Sequence, residues 1–276
     1  MQKLHAPTKL AQYHQSLQSN CSACTGLCCT LLYFAKDDGF PYDKPAGEPC
    51  RNLAPNWQCM IHDDLRQKGC RGCTSYECLG AGQRTVAMCQ QAEKKQDVVD
   101  ISLLSQVFER LRCLHLMWWY LEEVSCLLPA QSLWHQTEDL LQKTKEMTQS
   151  DVDTLLKLDI TEHQMEVNKI LHNCWESVQK FCGKNGAKKQ WDYIGKCLKG
   201  KNLCGHDFAM SLLIAADFSQ CSFYGANLLG ADLRDCNLKG SDLSECVFLI
   251  QPQINAARGD KNTLLPAGLK RPGHWR

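Results

Sequence analysis

The stretch that decides the fold covers residues 201–250 and divides into blocks of five: KNLCG HDFAM SLLIA ADFSQ CSFYG ANLLG ADLRD CNLKG SDLSE CVFLI. The third position of every block is Leu or Phe, the first is small in most blocks, and Asp or Asn often stands between them. A period of five matches neither an α-helix nor a β-strand. It predicts a four-sided coil, in which each block forms one side and the large third residue stacks inside.

This repeat resembles the pentapeptide-repeat family, whose fold is a right-handed quadrilateral β-helix. The resemblance implies a short β-helix over residues 201–252, whose ends need to be covered. The segment 253–276 resembles the tails of some bacterial members and is predicted to be a C-terminal cap. Three cysteines of the repeat are then interior packing residues, not ligands: Cys221, Cys236 and Cys246.

The segment 91–200 is predicted to be helical. Apolar residues recur every three or four positions from Val99 to Leu121, as in an amphipathic helix, and Pro129 would end it. Three further helices are predicted. The first covers 132–147, the second follows an N-cap at Ser150, and the third begins at a capping box formed by Thr161 and Gln164.

Cysteine is the compositional outlier, at 19 of 276 residues, and ten of the 19 lie between Cys21 and Cys89. The first twenty residues contain no apolar core of a signal peptide, and the chain contains no apolar run of membrane-spanning length. We therefore expect a cytoplasmic protein, in which clustered cysteines bind metal more often than they form disulfides. Residues 1–90 are predicted to be a loop-rich metal-binding module, since such a segment cannot build a large apolar core.

The stretch CSACTGLCC at 21–29 has the spacing C-x2-C-x3-C-C. Two later pairs, Cys59 with His62 and Cys70 with Cys73, also have the spacing of paired ligands. Adjacent cysteines cannot easily serve one tetrahedral ion. Cys28 and Cys29 therefore either supply two sites, or only one of them is a ligand.

Residues 21–84 resemble a bacterial family described as zinc- or iron-chelating, which is defined by C-x2-C-x3-C-C. The match continues at Cys59–His62 and at the two cysteines of CTSYEC. The block 43–83 also resembles cysteine-rich N-terminal regions of some pentapeptide-repeat proteins, in which the position of Cys70 is often aromatic. The resemblance implies these ligands: Cys21, Cys24, Cys28, Cys29, Cys50, Cys59, His62, Cys73 and Cys78.

The donor set leaves the metal open. Thiolate-rich sites suit zinc, an iron–sulfur cluster and copper, and zinc is favoured for a structural role. Redox chemistry without metal and inert buried thiols are the alternatives. The sequence has no P-loop, G-x-S-x-G or H-E-x-x-H motif. His115, Trp118 and Trp119 could line a pocket beneath the cysteine module or form the edge of a core.

We therefore expect a metal-binding protein with a β-helix that serves as a scaffold or interaction surface. The alternatives are a metal-dependent enzyme, most simply a redox enzyme, and a bacterial interaction or effector protein with a purely structural metal. The formal net charge of +1 indicates neither a nucleic acid nor a membrane as partner. The β-helix surface could bind a protein partner, and the basic stretch 183–201 is interpreted as a solvated linker.

Overall fold

The computed structural model describes residues 2–6, 14–93, 100–183 and 190–275. The described α-helices are α1 (Leu27–Leu31), α2 (Arg71–Ser75), α3 (Ala81–Glu93), α4 (Ile101–Val124), α5 (Trp134–Gln149), α6 (Val152–Lys157), α7 (Ile160–Phe181) and α8 (Gln251–Ala256). Within the described residues, no helix combines the length and apolarity that crossing a bilayer requires.

Contacts divide the chain into two compact units. The coil unit comprises Met1–Tyr13, Glu122–Glu138 and Asn168–Arg276, and the cysteine unit comprises His14–Leu121 and Asp139–Val167. Their boundaries fall inside α4, α5 and α7, so contacts group the residues differently from the four consecutive segments predicted by sequence pattern.

The helical middle region is present, but two predicted helix starts were wrong. Asp151, not Ser150, caps α6, because its carboxylate accepts the Thr154 N–H at 2.8 Å. The hydroxyl of Ser150 donates instead to the Met147 carbonyl oxygen. At α7, Asp159 accepts the Thr161 N–H, so the helix begins before the predicted capping box. Val99, the first residue of the predicted apolar stripe, lies outside the described residues.

The repeat forms a coil that advances by twenty residues per turn. Parallel bridges join the second position of each block to the position twenty residues later, from Asp192 with Leu212 to Asn227 with Val247. Each turn therefore contains four five-residue blocks, as the period predicted. Across the described residues the turns are joined by isolated bridges rather than extended strands, because each side is only a few residues long. Pentapeptide repeats of this kind imply a right-handed β-helix.

The Asp and Asn residues of the repeat close its corners. Their side-chain oxygens accept the backbone N–H two residues later, as at Asp207 and Asp217. The Asn227 side chain also donates to the Asp207 carboxylate at 3.0 Å, which links successive turns. This local hydrogen bonding explains why short polar acceptors recur beside the corner.

The third residues fill the interior. The rings of Phe208, Phe218 and Phe223 lie 5.5–6.0 Å apart between centroids. The predicted packing cysteines are also buried in this core: Cys221, Cys236 and Cys246. The coil begins before residue 201, because Tyr193 is buried in the same core and Asp192 already pairs with the next turn.

The residues after the repeat cover the last turn. The side chain of Gln253 in α8 donates to the carbonyl oxygens of Leu228 and Ala231 at 2.7 and 2.9 Å. The Trp275 ring packs on Gly259, where a Cβ would lie 2.3 Å from the ring. These contacts satisfy carbonyl groups of two buried residues of the coil and pack an aromatic ring against the segment that follows it; the role of 253–276 as a cap stays a prediction.

The fifth position of most blocks adopts a left-handed backbone. Positive φ occurs at every fifth position from residue 195 to residue 240, and six of these ten positions are Gly. Ala215 adopts φ 54° there although it has a Cβ. A non-Gly residue in this region is strained.

Ala215→Gly should therefore raise the free energy of unfolding by about 0.5–1 kcal/mol, because it relieves this strain. Ala226→Gly is the matched control, since Ala226 is buried and its φ is not positive. It should lower stability by about 1 kcal/mol or more. Denaturant unfolding of both variants measures the two values, and destabilisation by Ala215→Gly would contradict the corner assignment.

A buried histidine ties the N-terminal segment into the coil unit. His5 Nδ1 lies 3.1 Å from Glu245 Oε2, and His5 Nε2 lies 3.5 Å from Glu123 Oε1. Glu123 also accepts the Phe248 N–H, and Glu245 accepts the Leu4 N–H. Burial alone would lower the pKa of His5, but hydrogen bonds to Glu123 and Glu245 raise it to about 9.

Because the folded pKa of His5 is raised, its contribution to stability is complete below about pH 6.5 and is lost as the pH rises through 9. His5→Gln should therefore be less stable than wild type at pH 6.5 by about 1–3 kcal/mol, and the difference should shrink toward pH 10. Melting temperatures of both proteins from pH 6 to 10 test this. A difference independent of pH would rule out a charged His5.

The cysteine unit has an apolar core made by its helices. Buried side chains from α1, α3, α4, α5 and α6 form one cluster, and Tyr76, Cys24 and Cys78 pack against its edge. This cluster supports the loops and short helices that contain the cysteines from Cys21 to Cys78.

Candidate metal centre

The cysteine unit contains a cavity of about 560 Å³. Every cysteine from Cys21 to Cys78 lines it, and so does His62. The structure therefore places all nine predicted ligands around one space, and their role as ligands stays a prediction. Cys70, which was left out of the predicted set, lines the same cavity and is 3% exposed. Its C-x2-C spacing with Cys73 was the available signal.

Helix α1 presents the adjacent cysteines. Leu27 and Leu31 face the core, whereas Cys28 and Cys29 line the cavity with their Sγ atoms 4.0 Å apart. Gly26 begins the helix with φ 66°, and a Cβ there would lie 2.7 Å from Leu53 Cδ1. Only Gly fits both the backbone conformation and this contact.

A buried lysine holds the loop that contains Cys50. Lys44 Nζ donates to the carbonyl oxygens of Thr30, Pro45 and Glu48 at 3.2, 2.8 and 2.7 Å. The Cys50 N–H donates to the Cys29 carbonyl oxygen at 2.9 Å, so this loop is tied to α1.

Two further contacts define the surroundings of Cys50. Tyr42 Oη lies 3.0 Å from Cys50 Sγ, and the Arg51 guanidinium lies 3.8 Å from the centre of the Tyr42 ring. Burial lowers the pKa of Lys44, whereas the Cys50 and Cys29 thiols raise it. Both cations therefore lie close to the sulfur atoms of this part of the cavity.

The turn before α3 places Cys78. His115 is 4% exposed, and its Nδ1 donates to the Leu79 carbonyl oxygen at 2.7 Å. His115 is therefore a core histidine with a hydrogen-bond partner and does not line the cavity, in agreement with the interpretation as the edge of a core. At Gly82, a Cβ would lie 2.9 Å from Cys24 Sγ and 3.6 Å from Cys78 Sγ, so its absence lets the first turn of α3 approach both sulfurs.

Removal of the His115 hydrogen bond tests this anchoring. His115→Ala should lower the free energy of unfolding by about 1–3 kcal/mol, because the Leu79 carbonyl loses its buried donor. Burial lowers the pKa of His115, so wild type should lose stability as the pH falls below about 6.5, where only unfolded His115 takes up a proton.

His115→Gln is the control, because it retains a donor but cannot be protonated. As the pH falls from 7 to 5, the free energy of unfolding should therefore decrease more for wild type than for His115→Gln. A parallel pH dependence of the two proteins in denaturant unfolding would contradict a buried neutral imidazole.

The thiols are mostly held neutral. Burial raises the pKa of Cys21, Cys24 and Cys59, and burial with neighbouring thiols raises that of Cys73 to about 12. The pair on α1 differs from these. The Cys28 thiol donates to Cys29, which lowers the pKa of Cys29; burial opposes this effect, and the Lys44 ammonium reinforces it.

Among the described residues, no three His, Cys, Asp or Glu side chains converge closely enough to hold an ion. The chemistry of the site nevertheless fits a metal. Neutral thiols do not repel one another, whereas a bound cation would release their protons and draw the thiolates together. Tyr76 lines this cavity, and its hydroxyl is buried without a hydrogen-bond partner among the described residues.

His62 lies at the edge of the cavity. Its side chain is 64% exposed, and its Nδ1 lies 3.6 Å from Asp63 Oδ1. Imidazole at this position is accessible to solvent, unlike the buried Cys50.

Comparisons with known proteins agree with the repeat. The sequence model of pentapeptide repeats matches residues 211–248 with eight copies. The chain is 38% identical to the uncharacterized protein YybG of Bacillus subtilis over 268 residues, which cover 95% of this chain and 96% of the Bacillus protein. The chain belongs to the YybG family of pentapeptide-repeat proteins. Because the match covers 95% of the chain, it extends beyond the coil over the segment that contains the clustered cysteines.

Solved structures match only part of the chain. A pentapeptide-repeat protein (Rfr23) of the cyanobacterium Cyanothece is 27% identical, with a TM-score of 0.22, over 27% of this chain and 53% of the cyanobacterial chain. One from the Arabidopsis thaliana thylakoid lumen is 20% identical, with a TM-score of 0.17, over 32% and 63% of the two chains. The chain thus matches about half of one structure and under two thirds of the other. The resemblance of residues 21–84 to the chelating family stays a prediction.

Proposed function

We propose that this protein is a cytoplasmic metal-binding protein whose cysteine unit holds zinc or, alternatively, an iron–sulfur cluster or copper. The observation that carries the proposal is that nine cysteines, scattered over 58 residues from Cys21 to Cys78, line one cavity. Thiols without a shared function are not expected to line one cavity in such number. Buried cysteines usually pack singly against apolar neighbours, as Cys221 does inside the coil.

The surroundings of the thiols support a cationic ligand. Several thiolates in one cavity repel one another unless positive charge is nearby. At Cys29, the Cys28 hydrogen bond has the largest effect and lowers the pKa, burial raises it, and the Lys44 ammonium lowers it further. At Cys70, burial raises the pKa and the Arg51 guanidinium lowers it. These two fixed charges would offset only part of the charge of several ionised thiols, so the thiols can lose their protons together only with a bound metal.

A structural metal explains the architecture of this unit. The loops between Leu32 and Cys70 are short of regular structure, and metal–thiolate bonds would fasten them to the helical core. In this proposal the coil serves as a scaffold or as an interaction surface for a protein partner, a role that pentapeptide-repeat proteins often have.

One observation favours a second function, a metal-dependent enzyme. The cavity of about 560 Å³ is much larger than a metal ion, and the buried Tyr76 hydroxyl in its wall has no partner among the described residues. A catalytic metal keeps an open position that a substrate or water can occupy. Under this alternative the Tyr76 hydroxyl would orient that ligand.

Elemental analysis and a visible spectrum of protein purified without oxygen test the proposal. We expect zinc, iron or copper well above trace, and a lower melting temperature after treatment with a strong chelator. Zinc would leave the protein colourless, whereas an iron–sulfur cluster would absorb visible light. The proposal would be refuted by folded protein that contains no metal and whose melting temperature is unchanged by the chelator.

Two cysteine variants give the matched comparison. Cys59→Ser removes a thiol from the cavity wall and should lower the metal content. Cys113→Ser removes a thiol from α4 outside the cavity and should leave the metal content unchanged. Equal loss in both variants would show that the metal does not occupy this cavity.

A further inference from the structure

Two half-buried cysteines of the coil unit contact each other away from the cavity of the cysteine unit. Cys182 follows the last residue of α7, and Cys204 is the fourth residue of a five-residue block. Neither lines the cavity, and neither is in a disulfide. The Cys182 thiol donates a hydrogen bond to the Cys204 sulfur. Buried cysteines such as Cys221 pack singly among apolar residues, whereas this pair brings two sulfurs together.

The backbone of the coil carries Cys204 to this contact. The Gly205 N–H donates to the Tyr224 carbonyl oxygen at 2.9 Å, so Cys204 lies one turn away from Tyr224 and Gly225. Chains joined by such hydrogen bonds run about 4.8 Å apart. Cys204 and the corner at Gly225 are therefore neighbours on the outside of the coil.

The corner at Gly225 accepts the Cys182 sulfur because it has no side chain. A Cβ on Gly225 would lie 2.5 Å from Cys182 Sγ and 3.4 Å from Leu4 Cδ1. The φ of 62° at this corner does not by itself require Gly, because Ala215 adopts φ 54° at an equivalent corner. The close approach of the sulfur is an additional reason for Gly at this position.

The surroundings of the pair give its two sulfurs different roles. Burial raises the pKa of Cys182, and the Cys204 sulfur raises it further, to about 12. Cys182 therefore stays a thiol near neutral pH, with its hydrogen directed to Cys204. A half-buried sulfur that accepts a hydrogen bond can react as a thiolate. Cys204 is thus the sulfur that attacks an oxidant, and Cys182 is the sulfur that then closes the bond.

We propose that hydrogen peroxide converts Cys182 and Cys204 into a reversible disulfide, which fastens the end of α7 to the coil. The Cys204 thiolate attacks a peroxide oxygen: the S–O bond forms, the O–O bond breaks, and hydroxide leaves and takes up the proton that the thiol lost. Cys182 then attacks the sulfenic acid: the S–S bond forms, the S–O bond breaks, and the Cys182 proton leaves with hydroxide as a second water. Two thiols thus give two electrons to one peroxide, and a small dithiol reverses the bond.

The place of the bond decides what it fastens. The two sulfurs are already in hydrogen-bond contact and need to approach to about 2.05 Å. Cys182 lies in a turn after α7, rather than inside a helix or the coil. Tyr224 Oη donates to the Gln2 carbonyl oxygen at 2.6 Å, so the N-terminal segment also meets the coil beside this corner. The disulfide would therefore join α7 to the coil where the N-terminal segment is also held.

The test uses the full chain, purified without oxygen and treated with a small molar excess of hydrogen peroxide. Remaining thiols are blocked, the protein is digested without reductant, and linked peptides are identified by mass spectrometry. The peptide with Cys182 should be linked to the peptide with Cys204, and dithiothreitol should remove the link. Cys204→Ser should lose the link. Cys197→Ser, which changes an exposed cysteine of the coil, is the control and should retain it.

Two results would overturn the disulfide. One is wild type whose cysteines are oxidised by peroxide without a link between these two peptides. The other is a link that persists in Cys204→Ser, since the peptide would then be joined through another cysteine. Metal content plays no part in this measurement, so either result would leave the proposed function intact.

Two glycine variants test the geometry of the corner. Gly225→Ala places a methyl group against Cys182 Sγ and should slow the formation of the link severalfold. Gly240→Ala is the matched control, because its φ is 66° and its Cβ would meet Gln220 Cγ at 3.5 Å, an ordinary contact. It should form the link at the wild-type rate. Equal rates in the two variants would contradict the contact of Cys182 with this corner.

Discussion

The coil unit depends on one steric constraint: a closed turn of twenty residues has room inside for one large side chain on each side. Leu or Phe at the third position fills that room, and a small residue at the first position leaves it open. The chain must then turn a corner within each block. A left-handed residue and an Asp or Asn acceptor make that corner, so the five-residue period follows from packing and backbone geometry together.

The cysteine unit is organised on a different principle. Its loops are fastened by buried polar side chains that donate to backbone carbonyl oxygens. Lys44 holds the loop before Cys50, and His115 holds the turn after Cys78. Such bonds are strong because both side chains are buried, and each positions a cysteine without itself lining the cavity. The stability of the site therefore depends on residues outside the candidate ligand set.

Electrostatics sets the limits on what this cavity can hold. Burial raises the pKa of thiols such as that of Cys24, whereas the pKa of Cys29, which receives the Cys28 hydrogen bond and lies near Lys44, is lowered. Thiolates can accumulate here only with a cation that replaces their protons. This explains how many cysteines can share one space in the protein without disulfides or strong repulsion.

Local pattern in the sequence determined the coil, its period, the interior position of Cys221 and the helical middle region, because these depend on neighbours within a few residues. It missed the start of the coil, where Trp191 and Lys196 replace the small first residue and hide the register of Tyr193. Only the tertiary structure decided that the separated cysteines line one cavity, that Cys70 joins them and that His115 anchors the turn at Leu79. Those facts depend on contacts between residues tens of positions apart, which no local period encodes.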